Sequence, residues 1–223
     1  MNDRQSPTQR RPLLTVLTLV TAGAGHAGCG GTGGAWLWWL TDPQQKVEAE
    51  YQLGKGRLVI LIDDEKGWLR DPAVRPLLTK ALSKHLAEHN VNRRVVSHDQ
   101  VMQLRQRDPK FDRRGAREIG QRLKADLVLH LNVRTFTLHD QTVEMAYKGR
   151  FVVAVKVLDV QATKAEDVRL WPWHRGGRDI EVTTDLHTSE ESGHDEKLTR
   201  RLCEEMAEKI AQLFYDHTAP KPL

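Results

Sequence analysis

The chain has 223 residues, 39% hydrophobic and 29% charged, proportions that suit one folded domain and exclude a multi-span membrane protein. Its formal net charge of +4 falls to +2 once the three arginines and one aspartate before Cys29 are set aside. That balance lacks the concentrated Lys/Arg stripe of a nucleic-acid binder, so no nucleic acid is expected as a partner.

The first elements concern export. Residues Met1 to Arg11 are polar with basic ends, Leu13 to Val20 (LLTVLTLV) are apolar, and Thr21 to Gly28 are small apart from His26. This three-part pattern predicts a signal peptide over residues 1–28, because the apolar run is too short to cross a hydrocarbon core of about 30 Å. Gln9-Arg10-Arg11-Pro12-Leu13-Leu14 also fits a loose twin-arginine pattern. Ala27-Gly28-Cys29 resembles the bacterial lipobox, departing from it at His26, where the pattern has Leu. The resemblance implies that Cys29 carries a diacylglyceryl group and holds the exported chain on the periplasmic side of the cell envelope, the membrane being a partner through that anchor. Ordinary cleavage near Ala24 or Ala27 is the alternative. The second cysteine, Cys203, falls in a predicted late helix and makes a poor disulfide partner for a glycine-rich start.

Residues 29–45 read as a tether, glycine-rich at Gly30 to Gly34. Trp36, Trp38 and Trp39 suit a membrane interface, where an apolar ring with one N–H is at home, and equally suit a segment folded back on the domain. An uncleaved anchor from Leu13 to Leu40 is a third possibility, opposed by its glycines and His26.

Residues 46–217 carry the domain, with 218–223 as a tail. Arg57 to Asp63 is a continuous apolar run ending in an acid, the mark of a strand buried on both faces. Asp71-Pro72 starts a helix with Val74, Leu77, Leu78, Ala81, Leu82 and Leu86 on one face and Asn90 at its end. Arg94 to Val96 reads as a short strand. A short helix follows, capped by Ser97, His98 or Asp99 and broken at Asp108-Pro109, and then a helix from Asp112 to Leu123. Leu127 to Leu138 and Ala146 to Val160 are strands, and Val168 to Trp173 with Ile180 to Thr184 forms a third, irregular one around Gly176-Gly177. A helix from about Asp195 to His217 closes the domain. The order β-α-β-α-α-β-β-β-α predicts an α/β fold, a single mixed sheet with helices packed on it.

This order, the segment Ala125-Asp126-Leu127-Val128-Leu129 after a helix, the lead-in from Lys46 to Asp63 and the final Phe214-Tyr215-Asp216-His217 resemble the anticodon-binding-like domain of small bacterial envelope lipoproteins. That group includes lipoprotein activators of peptidoglycan synthases, the curli-secretion lipoprotein and the amino-terminal domain of the Tol-system propeller protein. The resemblance implies the fold and a cell-envelope role, and fold alone does not fix function.

Ten histidines invite a search for catalysis. His98-Asp99, His139-Asp140 and His194-Asp195 are expected in caps and turns, and His85 and His89, four apart on one helix, lack a third ligand and are expected to face solvent. No nucleophile elbow and no phosphate loop is present. The expectation is therefore a protein without catalytic residues, metal or cofactor, acting as a binding or assembly module for an envelope protein or peptidoglycan. An envelope hydrolase with a His/Asp metal site is the alternative. The candidate binding residues are Trp171, Trp173, Arg175 and Arg178, because two Trp one residue apart on a strand share a face and Arg and Trp dominate binding hot spots.

Overall fold

The computed structural model describes residues 44–139, 146–184, 187–188 and 194–220, all within the unit Pro43–Leu223. The signal peptide, Cys29, Trp36, Trp38 and Trp39 lie outside the described residues. In chain order the elements are β1 (Gln44–Val47), β2 (Leu58–Asp63), α1 (Val74–Glu88), α2 (His98–Arg107), a 3-10 turn (Phe111–Arg113), α3 (Ala116–Arg122), β3 (Leu127–His139), β4 (Ala146–Asp159), β5 (Arg169–Trp171), β6 (Arg178–Thr183), β7 (His187–Thr188), α4 (His194–Gln212) and β8 (His217–Pro220).

The expected mixed sheet is present. Strand β2 runs parallel to β3, from Leu58 opposite Leu127 to Asp63 opposite Asn132. Strand β4 is antiparallel to β3 on one side and carries β5, β6 and β7 along the other, so its outer neighbour is one broken strand. Alternate residues of β2 explain its unbroken apolar run. Leu58 and Ile60 join Leu129, Leu131 and Val155 under α1 (Leu78, Leu82, Leu86) and α4 (Leu202, Met206, Ile210). Val59 and Leu61 join Val128 and Val160 on the opposite face, under Val101 of α2, Phe111 and Ile119 of α3. Each face thus removes one half of the strand from water. On β6 the alternation is one-sided: Ile180 and Val182 are buried while Asp179, Glu181 and Thr183 are exposed.

Two left-handed residues end helices. Asn90 (φ 55°) follows α1, with the Val91 N–H donating to the Leu86 carbonyl at 2.8 Å, and Lys124 (φ 54°) follows α3, with the Ala125 N–H donating to Gly120 at 2.9 Å. Helix α3 lies close on the sheet because Gly120 has no side chain. A Cβ there would sit 2.6 Å from Val128 Cγ2 and 2.7 Å from Val160 Cγ2.

Several boundaries differ from expectation. Arg94 to Val96 is no full strand: Val95 makes a single parallel bridge to Leu58, and two hydrogen bonds, Leu58 N–H to Arg94 O and Val96 N–H to Leu58 O, clip it to the edge of β2. The helix expected from Asp112 begins at Ala116, since Phe111–Arg113 forms a tighter turn and Gly115 is extended. The last helix stops at Gln212, and the chain returns as β8, pairing antiparallel with β1 from Gln44 opposite Pro220 to Val47 opposite His217. Residues read as the end of a tether and the start of a tail are therefore strands.

Candidate functional site

The broken outer strand sets the geometry of the Trp/Arg segment. Strand β5 ends at Trp171, whose ring is half-buried against Tyr51 (centroids 6.2 Å apart) and Phe214 (5.9 Å). Past Pro172 the chain leaves the sheet, and the Trp173 side chain is 98% exposed. The two Trp do not share a face, because the two-residue period of a strand no longer applies beyond Trp171. The loop is nonetheless tied down. Arg134 Nη2 donates to the Gly176 carbonyl at 3.2 Å and Arg169 Nη1 to the Trp173 carbonyl at 3.4 Å. Gly177 (φ +91°) lies against the backbone of β4, where a Cβ would be 3.1 Å from the Val155 carbonyl oxygen. Arg178 is committed to a bidentate ion pair with Glu50 (2.9 and 3.1 Å), whereas Arg175 is exposed. Beneath the loop, burial lowers the Lys156 ammonium below its ordinary value and the like charges of Arg169 and Arg134 lower it further. The segment therefore presents one large apolar side chain on a braced, cationic base.

The histidines named from the sequence are scattered. His85 Nε2 lies 3.2 Å from Glu204 Oε1 with its side chain only 14% exposed, so it faces α4 and not solvent. His89 is exposed and stacks on Tyr215 with centroids 3.8 Å apart. His98 is half-buried, and burial pushes its imidazole below the ordinary value; Ser97 supplies the cap of α2, its Oγ accepting the Gln100 N–H. His139 ends β3, while Asp140 and the side chain of His194 lie outside the described residues. Among the described residues no three His, Cys, Asp or Glu side chains gather as a metal site. Burial holds the Cys203 thiol up at about 12, so it is no nucleophile.

One His/Asp pair was not legible from the sequence. His130 Nε2 on β3 lies 3.5 Å from Asp63 Oδ2 at the end of β2, a meeting created by the parallel register and so invisible to local patterns. The hydrogen bond from His130 holds the Asp63 carboxyl below the usual carboxylate range. The pair borders a cleft of about 470 Å³ bounded by the end of β2, α1, α2 and the turn before α3.

Behind that turn, Asp108 is 8% exposed between Arg114 Nε (2.5 Å) and Arg122 (3.4 Å). Its hydrogen bond to Arg114 holds its carboxyl low. A carboxyl depressed in the folded state contributes stability that is complete above its unfolded pKa and is lost as pH falls through the folded one. We expect the urea midpoint to decline slightly between about pH 7 and 5, as protonation disfavours the half-buried His98, and then to show a steeper drop below about pH 4 as the depressed carboxyls protonate. In Asp108→Asn that drop is shallower; an unchanged acid limb would show that Asp108 is not a source of it.

Solved structures with a similar chain path include the PelC dodecamer from Paraburkholderia phytofirmans (11% identity, covering 77% of this chain and 96% of that one, TM-score 0.42). The hypothetical protein CT253 from Chlamydia trachomatis (12%, 72% and 98%, 0.42) and the lipoprotein GNA1162 from Neisseria meningitidis (15%, 70% and 96%, 0.39) are others. The structural neighbours thus include bacterial lipoproteins. No protein-family model matches the chain, and no curated protein matches it in sequence. No helix among the described residues is long and apolar enough to cross a membrane.

Proposed function

We propose that the chain is exported, anchored in the cell envelope on its periplasmic side through a lipidated Cys29, and that the unit Pro43–Leu223 is a non-catalytic binding or assembly module of the anticodon-binding-like type. Its partner is an envelope protein or peptidoglycan. The anchor rests on the signal pattern and on Ala27-Gly28-Cys29; Trp36, Trp38 and Trp39 then stand beside the lipid, where indole rings favour the interface. The binding role rests on one observation, the 98% exposed Trp173 on a loop braced by Arg134 and Arg169. An indole in water on a fixed loop loses little freedom on docking and buries a large apolar area. Arg175 beside it is open to a partner's acceptors, while Arg178 holds the base of the loop through Glu50.

Replacement of Trp173 by Ala tests this. Stability is expected to stay within about 0.5 kcal/mol, since nothing covers the ring, while retention on purified peptidoglycan sacculi, or crosslinking to envelope proteins, falls at least about tenfold. Equal retention by the variant would remove the surface from consideration. For the anchor, Cys29→Ala is expected to move the protein from the membrane to the soluble fraction. Full membrane association of that variant would count against lipidation.

A further inference from the structure

We infer that the cleft at the carboxyl end of β2, beside His130 of β3, is a binding site for a small zwitterion, a free amino acid or a short peptide with both ends free, whose ammonium and carboxylate groups are held on opposite walls. The inference stands apart from the Trp173 surface and does not depend on it.

Location is the first argument. Ligand sites are concave openings where polar groups from several segments converge. Here the end of β2, His130 within β3, Arg75 of α1, Arg105 of α2 and the turn before α3 converge on one opening of about 470 Å³. Volumes of this order accept small molecules.

Charge decides the class of ligand. The walls carry four acidic and four arginine side chains. A site for a polyanion would show an excess of arginine and a site for a metal or an amine an excess of acid; a balanced lining is complementary to a ligand that carries both signs.

Commitments within the protein then sort these groups. Asp64 is 1% exposed and engaged by two backbone N–H groups and Arg75. Arg114 is held by Asp108 and Glu118. What remains reachable is Asp63, 45% exposed, and Glu65 on the wall at the end of β2, and Arg105, 39% exposed, and Arg113 on the wall formed by α2 and the turn after it. The His130 contact keeps Asp63 ionised, as an acceptor for an ammonium must be. Arg105 pairs with Asp112 at 2.7 Å, but that acid is 70% exposed, and such surface pairs exchange for a ligand carboxylate at little cost. Phe111, with the Arg105 guanidinium 5.6 Å from its ring centre, gives the cleft an apolar floor for the ligand's side chain.

The experiment titrates the dipeptide Ala-Ala into the full chain and follows amide chemical shifts. N-acetyl-Ala-Ala, Ala-Ala amide and inorganic phosphate serve as the other probes. Saturable shifts confined to residues 63–65, 105 and 111–115 are expected, with each capped dipeptide binding at least about tenfold more weakly, the weight of one charge-assisted contact. The exposed residues Glu65 and Arg113 supply variants that leave the fold intact. Glu65→Gln is expected to weaken Ala-Ala and leave N-acetyl-Ala-Ala unchanged, and Arg113→Gln to weaken Ala-Ala and leave the amide unchanged. Absence of saturable shifts in the cleft would overturn the inference. So would phosphate or N-acetyl-Ala-Ala binding as tightly as Ala-Ala, since that would make the cleft an anion site.

Discussion

Replacing Phe151 by Ala is expected to cost about 3–5 kcal/mol of folding stability, the range for emptying an aromatic from a closed core. Phe151 is fully buried near the middle of β4, opposite Phe136 on β3 and Val182 on β6. Its ring meets Phe136 edge-on, with centroids 5.0 Å apart and planes at 86°, an arrangement favoured by ring quadrupoles. Because β4 holds β3 on one side and the broken strand on the other, the space left by the ring cannot close by moving one strand without disturbing both. Phe151→Leu keeps most of the volume and should cost less than about 1.5 kcal/mol. Urea unfolding with equal slopes for the three proteins measures this. A loss below about 1 kcal/mol for the Ala variant would mean that the site collapses readily and the core is not built around this pair.

Much of this core could be read before the structure. Five apolar residues in succession at Leu58 to Ile62 and the helical spacing of Leu78, Leu82 and Leu86 are local signals of burial, and they point to the right elements. The signals failed where structure is made by distant pairing or by a change of period. Gln44-Gln45-Lys46 and His217-Thr218-Ala219 have no alternation, and they become strands because each supplies the other's hydrogen bonds. Val95 looks like strand and makes one bridge, since the chain must turn into α2 at Ser97. A two-residue period puts Trp173 on the face of Trp171, but the strand that sets that period ends at Trp171. The same limit hid the cleft. Asp63 and Glu65 come from one end of the first long strand, Arg105 and Arg113 from the helical segments after it, and His130 from a strand later still, so only the parallel register of β2 and β3 brings them around one opening.

The loop that carries Glu65 to that opening depends on a single carboxylate, and Asp64→Ala is expected to cost about 3 kcal/mol. Asp64 Oδ1 accepts the Trp68 N–H and Oδ2 the Leu69 N–H, both at 2.8 Å, with the side chain 1% exposed. The turn between them closes with the Gly67 N–H donating to the Asp64 carbonyl, Gly67 adopting φ +68°. This stitching lets Leu69 enter the core beneath α1. Alanine leaves two half-buried N–H donors without their acceptors and takes away the anion 3.5 Å from Arg75. Asp64→Asn retains one acceptor oxygen and is expected to lose about half as much. Amide exchange should accelerate at Trp68 and Leu69 in both variants and stay slow in β3, which marks a local opening and not a general loosening. The Ala variant should also bind Ala-Ala more weakly, since Glu65 follows Asp64 directly and loses its fixed position. A cost within about 0.5 kcal/mol would instead assign the loop's order to the packing of Trp68 and Leu69, with the carboxylate incidental.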